Sequence, residues 1–321
     1  MRMGRALRGA ACSHWAVILA GGDGKRLLPL TRELSGDDRP KQFCRLLGPQ
    51  TLLDQTLSRV ARVVRPDHTF TVVTKSHEKF YSQLPEAFVV QPCDRGTSPA
   101  IMYSLVRLHW LDPQAVVAFF PSDHYFNDDE EFSVSVEQAF EFAVSHPGEV
   151  VLLGVNPDRP ENGYGWIDPG ELLMASESGA VFRVRAFWEK PSPNGVTELI
   201  RRGCFWNSFV MVGRVESLLG LVRGTIPALF RSFQKIEPKM FTKDEETSVL
   251  EIYQEIQPSG FSQDVLSVCS RNLAVLCSKT LHWTDVGDVD RARALIRSKG
   301  LAPPPFMQPS EQTGVAAAAS R

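Results

Sequence analysis

The 321-residue sequence has no apolar run approaching the ~18 residues needed to cross a bilayer. Its longest apolar stretches, at 15–20 and 115–120, are six residues, the length of a strand. Excess charge of either sign is also missing: 35 Lys+Arg stand against 37 Asp+Glu, a net charge of −2. A broad nucleic-acid or acidic-membrane surface needs a strongly basic field, so both partner classes are excluded and only a local basic pocket is left open. The six cysteines, Cys12, Cys44, Cys93, Cys204, Cys269 and Cys277, never pair as C-x-x-C, which removes a zinc ribbon and a thioredoxin motif. Scattered in this way they fit a reducing cytosol, and a cytoplasmic protein is expected. The basic opening residues end in a faintly lipobox-like Arg8-Gly9-Ala10-Ala11-Cys12 but lack the apolar core of a signal peptide. Residues 1–13 therefore read as a disordered leader. Residues 301–321, with Pro303-Pro304-Pro305 and alanines 316–319, read as a disordered Pro/Ala-rich tail.

What lies between, residues 14–300, alternates strand-like and helix-like segments. Strand-sized apolar runs fall at 15–20, 69–74, 88–91, 116–120, 150–155, 181–188, 205–212 and 273–277. Amphipathic runs at 52–64, 76–84, 99–111 and 129–144 separate the early strands, and further helices are expected at 194–202, 215–223, 246–256 and 288–299. Strand–helix alternation predicts one α/β domain with a mostly parallel, mixed central sheet flanked by helices. The closely spaced strands around 163–168 and 181–188 read as an antiparallel addition to that sheet. Asp288 is placed to cap the last helix.

The first strand runs straight into Gly21-Gly22-Asp23-Gly24-Lys25-Arg26-Leu27. A glycine-rich turn after a buried strand offers bare backbone N–H groups where α/β proteins bind phosphates, and Lys25 and Arg26 add cationic donors. Two familiar phosphate loops do not fit. A P-loop needs Gly where Leu19 stands and Ser or Thr where Arg26 stands, and G-x-G-x-x-G from Gly22 needs Gly in place of Leu27. A plain βα turn is the alternative reading of this segment. The Ser122-Asp123-His124 trio is not a catalytic triad, because consecutive extended residues alternate direction and cannot converge.

Continuing through Pro29-Leu30-Thr31 and Arg39-Pro40-Lys41-Gln42-Phe43, this segment resembles the signature of sugar-1-phosphate nucleotidylyltransferases, most of all the bacterial mannose-1-phosphate guanylyltransferases. Six further segments match in the same order. They are Pro121-Ser122-Asp123-His124, Gly96-Thr97-Ser98-Pro99-Ala100 preceded by Gln91, the stretch from Pro160 to Ile167 around Gly163-Tyr164-Gly165, Glu189-Lys190-Pro191, Trp206-Asn207-Ser208 and Trp283-Thr284-Asp285-Val286-Gly287. Ser262-Gln263-Asp264 is a weaker match. Gly96 stands where the guanylyltransferases carry Asn, Ser98 where they carry Ala, and Phe209 where they carry Gly after Asn-Ser.

The resemblance implies a Rossmann-like nucleotidyltransferase fold and the joining of a sugar 1-phosphate, mannose 1-phosphate first, to GTP with release of pyrophosphate. It implies Gly21, Gly22, Gly24, Lys25, Arg26, Gln91, Gly96 and Thr97 at the nucleotide, and Gly165, Glu189, Lys190 and Asn207 at the sugar phosphate. Arg26, Lys41, Asp123 and Lys190 would carry the chemistry, and Asp123 and Asp285 would hold Mg²⁺. The nucleophile is already an anion, since a phosphomonoester's second pKa is about 6, so positioning and charge neutralisation do most of the work. GTP and a sugar 1-phosphate are the expected partners, with a homodimer left open. Another NTP or sugar phosphate such as glucose 1-phosphate, a metal-dependent glycosyltransferase using Asp288 and Asp290, and a nucleotide-sugar sensor are the alternatives.

Overall fold

The computed structural model describes residues 13–82, 87–176 and 178–301; the expected leader up to residue 12 and tail from 302 lie outside them. The glycine-free apolar run after Ser13 forms β1 (His14–Leu19), whose residues Ala16, Val17 and Ile18 are fully buried. Burial on both faces is the mark of a parallel strand covered by helices. Val17 packs into one hydrophobic cluster while Ala16 and Ile18 pack into another, so the alternation of the strand feeds two cores at once. With β2 (Thr69–Thr74), β3 (Phe88–Gln91) and β4 (Val116–Pro121) it builds a parallel half-sheet in the order β3-β2-β1-β4. A short β5 (His124–Phe126) then turns away from the sheet.

The second half contributes β6 (Val150–Val155), β7 (Gly165–Ala175), β8 (Gly179–Glu189), β9 (Phe205–Arg214) and β10 (Leu273–Ser278), extending the order to β3-β2-β1-β4-β9-β6-β10-β8-β7. β9 runs antiparallel to β4 and β6, β10 runs parallel to β6, and β8 runs antiparallel to β10 and β7. Only β8 and β9 are reversed, so the sheet is mixed with a common strand direction, as the sequence pattern predicts. The antiparallel addition is present and longer than expected, with eleven residues in each of β7 and β8. Trp166 and Ile167 of β7 also pair with Trp206 and Phe205 of β9, which folds the far edge back onto the centre. β11 (Trp283–Asp285) pairs antiparallel with β5 in a separate two-stranded ribbon.

The helices are α1 (Leu28–Ser35), α2 (Leu52–Val60), α3 (Glu78–Tyr81), α4 (Thr97–Leu111), α5 (Asp129–Ser145), α6 (Pro193–Arg201), α7 (Val215–Thr225), α8 (Pro227–Gln234), α9 (Glu245–Glu255) and α10 (Val289–Ser298). α4, α7, α8 and α9 close one face of the sheet, and α2 and α5 the other. A smaller cluster of Leu27, Leu30, Leu46, Leu52, Val286, Leu295 and Ile296 ties α1, α2 and α10 together. α1 and α8, eight residues each, were not anticipated; both are shorter than the roughly 11–18-residue window in which helical periodicity is read. The helix expected over 76–84 shrinks to α3, its remainder reaching positions outside the described residues.

Capping follows the side-chain chemistry. Thr51 and Asp54 form a reciprocal capping box on α2, and Asp128 accepts from the Glu130 and Glu131 N–H groups of α5. Asp288 caps α10 as expected, taking the Arg291 N–H at 2.9 Å. The Asp290 side chain is 95% exposed, so Asp288 and Asp290 do not converge as a metal-binding pair. Cys44, Cys93, Cys204, Cys269 and Cys277 are free thiols. No helix among the described residues is long and apolar enough to cross a membrane.

Candidate active site

A cleft of about 490 Å³ opens where β1, β3 and β4 end, walled on the other side by β7, β8, β9 and β11. Fifteen positions were expected at a site, and the cleft collects all but one of them. The turn after β1 supplies Gly21, Gly22, Gly24 and Arg26, the segment before α2 supplies Lys41, and β3 and the start of α4 supply Gln91, Gly96 and Thr97. Asp123 follows β4 and Asp285 ends β11. Gly165, Glu189, Lys190 and Asn207 come from β7, β8 and β9. The exception is Lys25. Its side chain is 80% exposed, pairs with Asp23 at 3.3 Å, and lines an adjoining hollow instead.

The glycine turn is held from both sides. Buried Gln42 donates its amide N–H groups to the Ala20 carbonyl (2.8 Å) and the Gly22 carbonyl (2.9 Å), and Thr74 donates its hydroxyl to the Gly21 carbonyl (2.7 Å). A Cβ on Gly21 would sit 2.5 Å from Gln91 Nε2 and 3.0 Å from Thr74 Oγ1, so a larger residue there would displace the Gln91 amide. Arg26 is exposed, with no ion-pair partner among the described residues, and is free to meet an anion.

Lys41 and Asp123 face each other across the cleft floor at 2.5 Å, and Lys41 Nζ also donates to the Val286 carbonyl at 2.8 Å. Burial pushes the Asp123 carboxyl up, but Lys41 and His124 outweigh it and hold its pKa below the ordinary value, so it is ionised. Burial lowers the pKa of His124 despite Asp123 and Asp285 nearby, so its ring is neutral. His124 Nδ1 lies 3.1 Å from both the Trp283 indole nitrogen and the Ser208 carbonyl oxygen, and its Nε2 lies 3.9 Å from Asp123.

Asp285 is fixed by two donors. Its Oδ1 accepts from the Tyr164 hydroxyl (3.0 Å) and from Arg291 (2.7 Å). Burial and Asp285 push the Tyr164 phenol up to about 12, which keeps it protonated and donating. Arg291 reaches in from α10, pairs also with Glu161 (3.0 Å) and Asp288 (3.4 Å), and lies over the Tyr164 ring at 4.7 Å. Among the described residues no cluster of three or more His, Cys, Asp or Glu forms a closed metal cage. Asp123 and Asp285 line the cleft, and carboxylate oxygens are donors of the hard type that suits a divalent cation such as Mg²⁺.

At the sugar-side wall, Lys190 pairs with Glu189, adopts a left-handed φ of 48°, and donates its N–H to the Tyr164 carbonyl at 3.1 Å. A Cβ on Gly165 would lie 2.8 Å from Phe187, 3.1 Å from Glu189 and 3.3 Å from Asn207, so bare backbone faces the cleft there. At the opposite end Gly96 has φ 86°, and a Cβ would lie 2.4 Å from the Ser259 carbonyl. The Asn-to-Gly departure at this position therefore goes with a close backbone approach. The N-cap of α4 is Gly96, with no side chain to serve. Thr97 Oγ1 accepts the Phe261 N–H at 2.8 Å and so joins α4 to the 259–264 turn. Asp264 is internal to that turn, accepting from Ser259 Oγ (2.6 Å) and Gly260 N–H (3.0 Å), while Gln263 lines the cleft.

Gln42, Tyr164, Arg291 and Tyr253 escaped the sequence reading. Gln42 and Tyr164 lie inside recognised motifs, and only their partners reveal what they do. Tyr253 donates to Gln91 Oε1 at 2.9 Å across 162 positions, and Arg291 meets Glu161 from a distant part of the chain, so no local signal exists for either.

A family model described as nucleotidyl transferase matches residues 15–297. Mannose-1-phosphate guanylyltransferase 2 of Escherichia coli O157:H7 is 28% identical over 287 residues, which is 85% of this chain and 58% of the relative. The mannose-1-phosphate guanylyltransferase of Salmonella montevideo is 32% identical over 211 residues, 62% of this chain and 43% of that protein. The chain thus spans just over half the length of the first of these curated relatives. Among solved structures, a protein named mannose-1-phosphate geranyltransferase from Thermus thermophilus superposes with a TM-score of 0.76 at 29% identity, covering 91% of this chain and 80% of that one.

Proposed function

The chain belongs to the nucleotidyl transferase family, and from that premise we propose that it joins mannose 1-phosphate to GTP, giving GDP-mannose and pyrophosphate. The observation that carries this reading is the meeting of three cations, Arg26, Lys41 and Lys190, with two carboxylates, Asp123 and Asp285, in one cleft at the strand ends. Similarity to proteins named mannose-1-phosphate guanylyltransferase supports the choice of guanine and mannose.

A phosphate oxygen of the sugar phosphate attacks the α-phosphorus of GTP, a new P–O bond forms, and the bond to the β-phosphate breaks as pyrophosphate leaves. The attacking group is mostly dianionic at neutral pH, so no general base is needed. The barrier is the approach of two anions, which positioning and fixed positive charge reduce. In this reading the turn amides and Arg26 hold the β- and γ-phosphates, Lys41 neutralises charge at the α-phosphate, and Lys190 holds the sugar phosphate. Glu189 and Asn207 accept from and donate to the sugar hydroxyls, beside the bare backbone of Gly165. Asp123 and Asp285 hold the Mg²⁺, which when bound neutralises phosphate charge.

The test is a matrix of nucleoside triphosphates against sugar 1-phosphates with pyrophosphate release as readout. GTP with mannose 1-phosphate is expected to exceed every other pair. A matrix led by UTP or dTTP with glucose 1-phosphate would keep the reaction class and overturn the substrates. Asp123→Asn is expected to lower kcat by roughly 10²–10³ with an unchanged circular dichroism spectrum.

A further inference from the structure

Among the described residues only Lys190, Phe209 and Phe241 combine a side chain with left-handed φ, and the first two line the cleft. A bulky residue at φ 63° is a genuine outlier, and strain of this kind persists where its surroundings over-determine it. Phe209 sits on such a segment. Between the pairs Gly154–Asn207 and Leu152–Met211 the ladder of β6 and β9 slips by two residues, leaving Phe209 at the tip of a bulge. The bulge is tied down beside it: Asn207 Oδ1 accepts the Phe209 N–H (3.1 Å), and Ser208 Oγ donates to the Leu153 carbonyl (2.7 Å) and accepts the Val210 N–H (3.3 Å).

These ties would fix the backbone equally well around a glycine, without the strain. The benzyl group is therefore kept for what it meets. Its side chain packs against the core but is only partly buried, its ring makes no ring–ring or cation–ring contact among the described residues, and the residue lines the cleft. It rises one bulge from Asn207, which flanks Gly165 and Glu189. An aromatic face beside an amide, a carboxylate and an ammonium is suited to a pyranose, with apolar C–H groups on the ring and hydroxyls on the polar groups.

We propose that Phe209 is a specificity-determining residue whose ring walls the sugar subsite, so that the cleft takes hexose 1-phosphates bearing only hydroxyls and excludes acetamido sugars. This rests on the sugar-phosphate reading above. Phe209→Gly and Phe209→Asn both suit a left-handed backbone and remove the ring. With saturating GTP, each is expected to raise the ratio of kcat/KM for N-acetylglucosamine 1-phosphate over mannose 1-phosphate by at least roughly tenfold, leaving the KM for GTP unchanged. A ratio within twofold of wild type in both variants, with mannose 1-phosphate still turned over, overturns the proposal.

A second readout needs no turnover. In protein protonated only on its phenylalanine rings, magnetisation is expected to pass to the pyranose protons of bound mannose 1-phosphate and to fall sharply in Phe209→Gly. Equal transfer in both proteins overturns the proposal. A wild-type protein that releases pyrophosphate with no sugar 1-phosphate is the separate signature that the function reading fails, and it removes the premise of this one.

Discussion

Replacing Arg291 by Gln tests the arrangement around Asp285 directly. The guanidinium serves three carboxylates, Asp285 at 2.7 Å, Glu161 at 3.0 Å and Asp288 at 3.4 Å, while covering the Tyr164 ring. Burial works against its charge, yet Asp285, Tyr164, Glu161 and Asp288 outweigh that and raise its pKa. Gln keeps some length and hydrogen bonding but leaves Asp285 and Glu161 as unpaired neighbouring anions. Breaking a buried pair costs about 3–5 kcal/mol, and the lower end applies because Arg291, Asp285 and Glu161 retain 16%, 17% and 15% exposure. At roughly 2 °C per kcal/mol for a chain of this size, about 3 kcal/mol lowers the melting temperature by about 6 °C. The shift should survive 0.5 M NaCl in large part, because partly buried pairs are weakly screened. Manganese affinity, read by water-proton relaxation, should fall by roughly 10–100-fold as Asp285 loses its orientation. A melting shift under 1 °C together with unchanged manganese binding would refute the positioning role and show Arg291 to be a surface ornament of α10.

Three other outcomes are expected. Lys190→Ala should raise the KM for the sugar phosphate by roughly 10–100-fold, the value of one charge-assisted contact, with little change for GTP; an effect confined to GTP contradicts the assignment. Gly96→Ala forces a Cβ to within 2.4 Å of the Ser259 carbonyl at φ 86°, so urea unfolding should report a loss of about 2–3 kcal/mol. A normal midpoint would mean that the 259–264 turn yields freely. Burial lowers the pKa of His14 below its ordinary 6.5, with its ring stacked on Phe140. The unfolded chain then binds the proton more readily, so this contribution to stability is complete above about pH 6.5 and is lost as pH falls below it. His14→Phe should melt with a smaller difference between pH 7.5 and pH 5.5 than wild type, and an equal difference argues that other groups govern that range.

Much of the site is legible in the sequence because its groups are local. The turn from Gly21 to Arg26 follows directly on the apolar run of β1, and Glu189-Lys190 and Asn207 stand at strand ends that the apolar pattern marks. Where a residue's task depends on its immediate neighbours, as with Asp288 capping α10, a few positions of context suffice. Lys25 shows the limit of that reasoning. Its place beside Arg26 suggests a phosphate donor, yet a one-residue step around the turn sends its side chain to solvent and to Asp23. Thr97 shows another, since its hydroxyl accepts from Phe261, a partner 164 positions away.

Composition and pattern pointed to an α/β domain with a mostly parallel sheet and to a phosphate-binding turn at the end of its first strand, and the resemblance of seven segments to one family supplied the remaining groups of the site. Tertiary structure decided which of those groups meet: Lys41 against Asp123, Arg291 and Tyr164 on Asp285, Tyr253 on Gln91, and Phe209 set at the cleft on a bulge. The physical reason is one of range. Side-chain periodicity and turn chemistry act over a few residues, whereas a hydrogen bond or ion pair between distant segments exists only once the sheet order has brought its strand ends together.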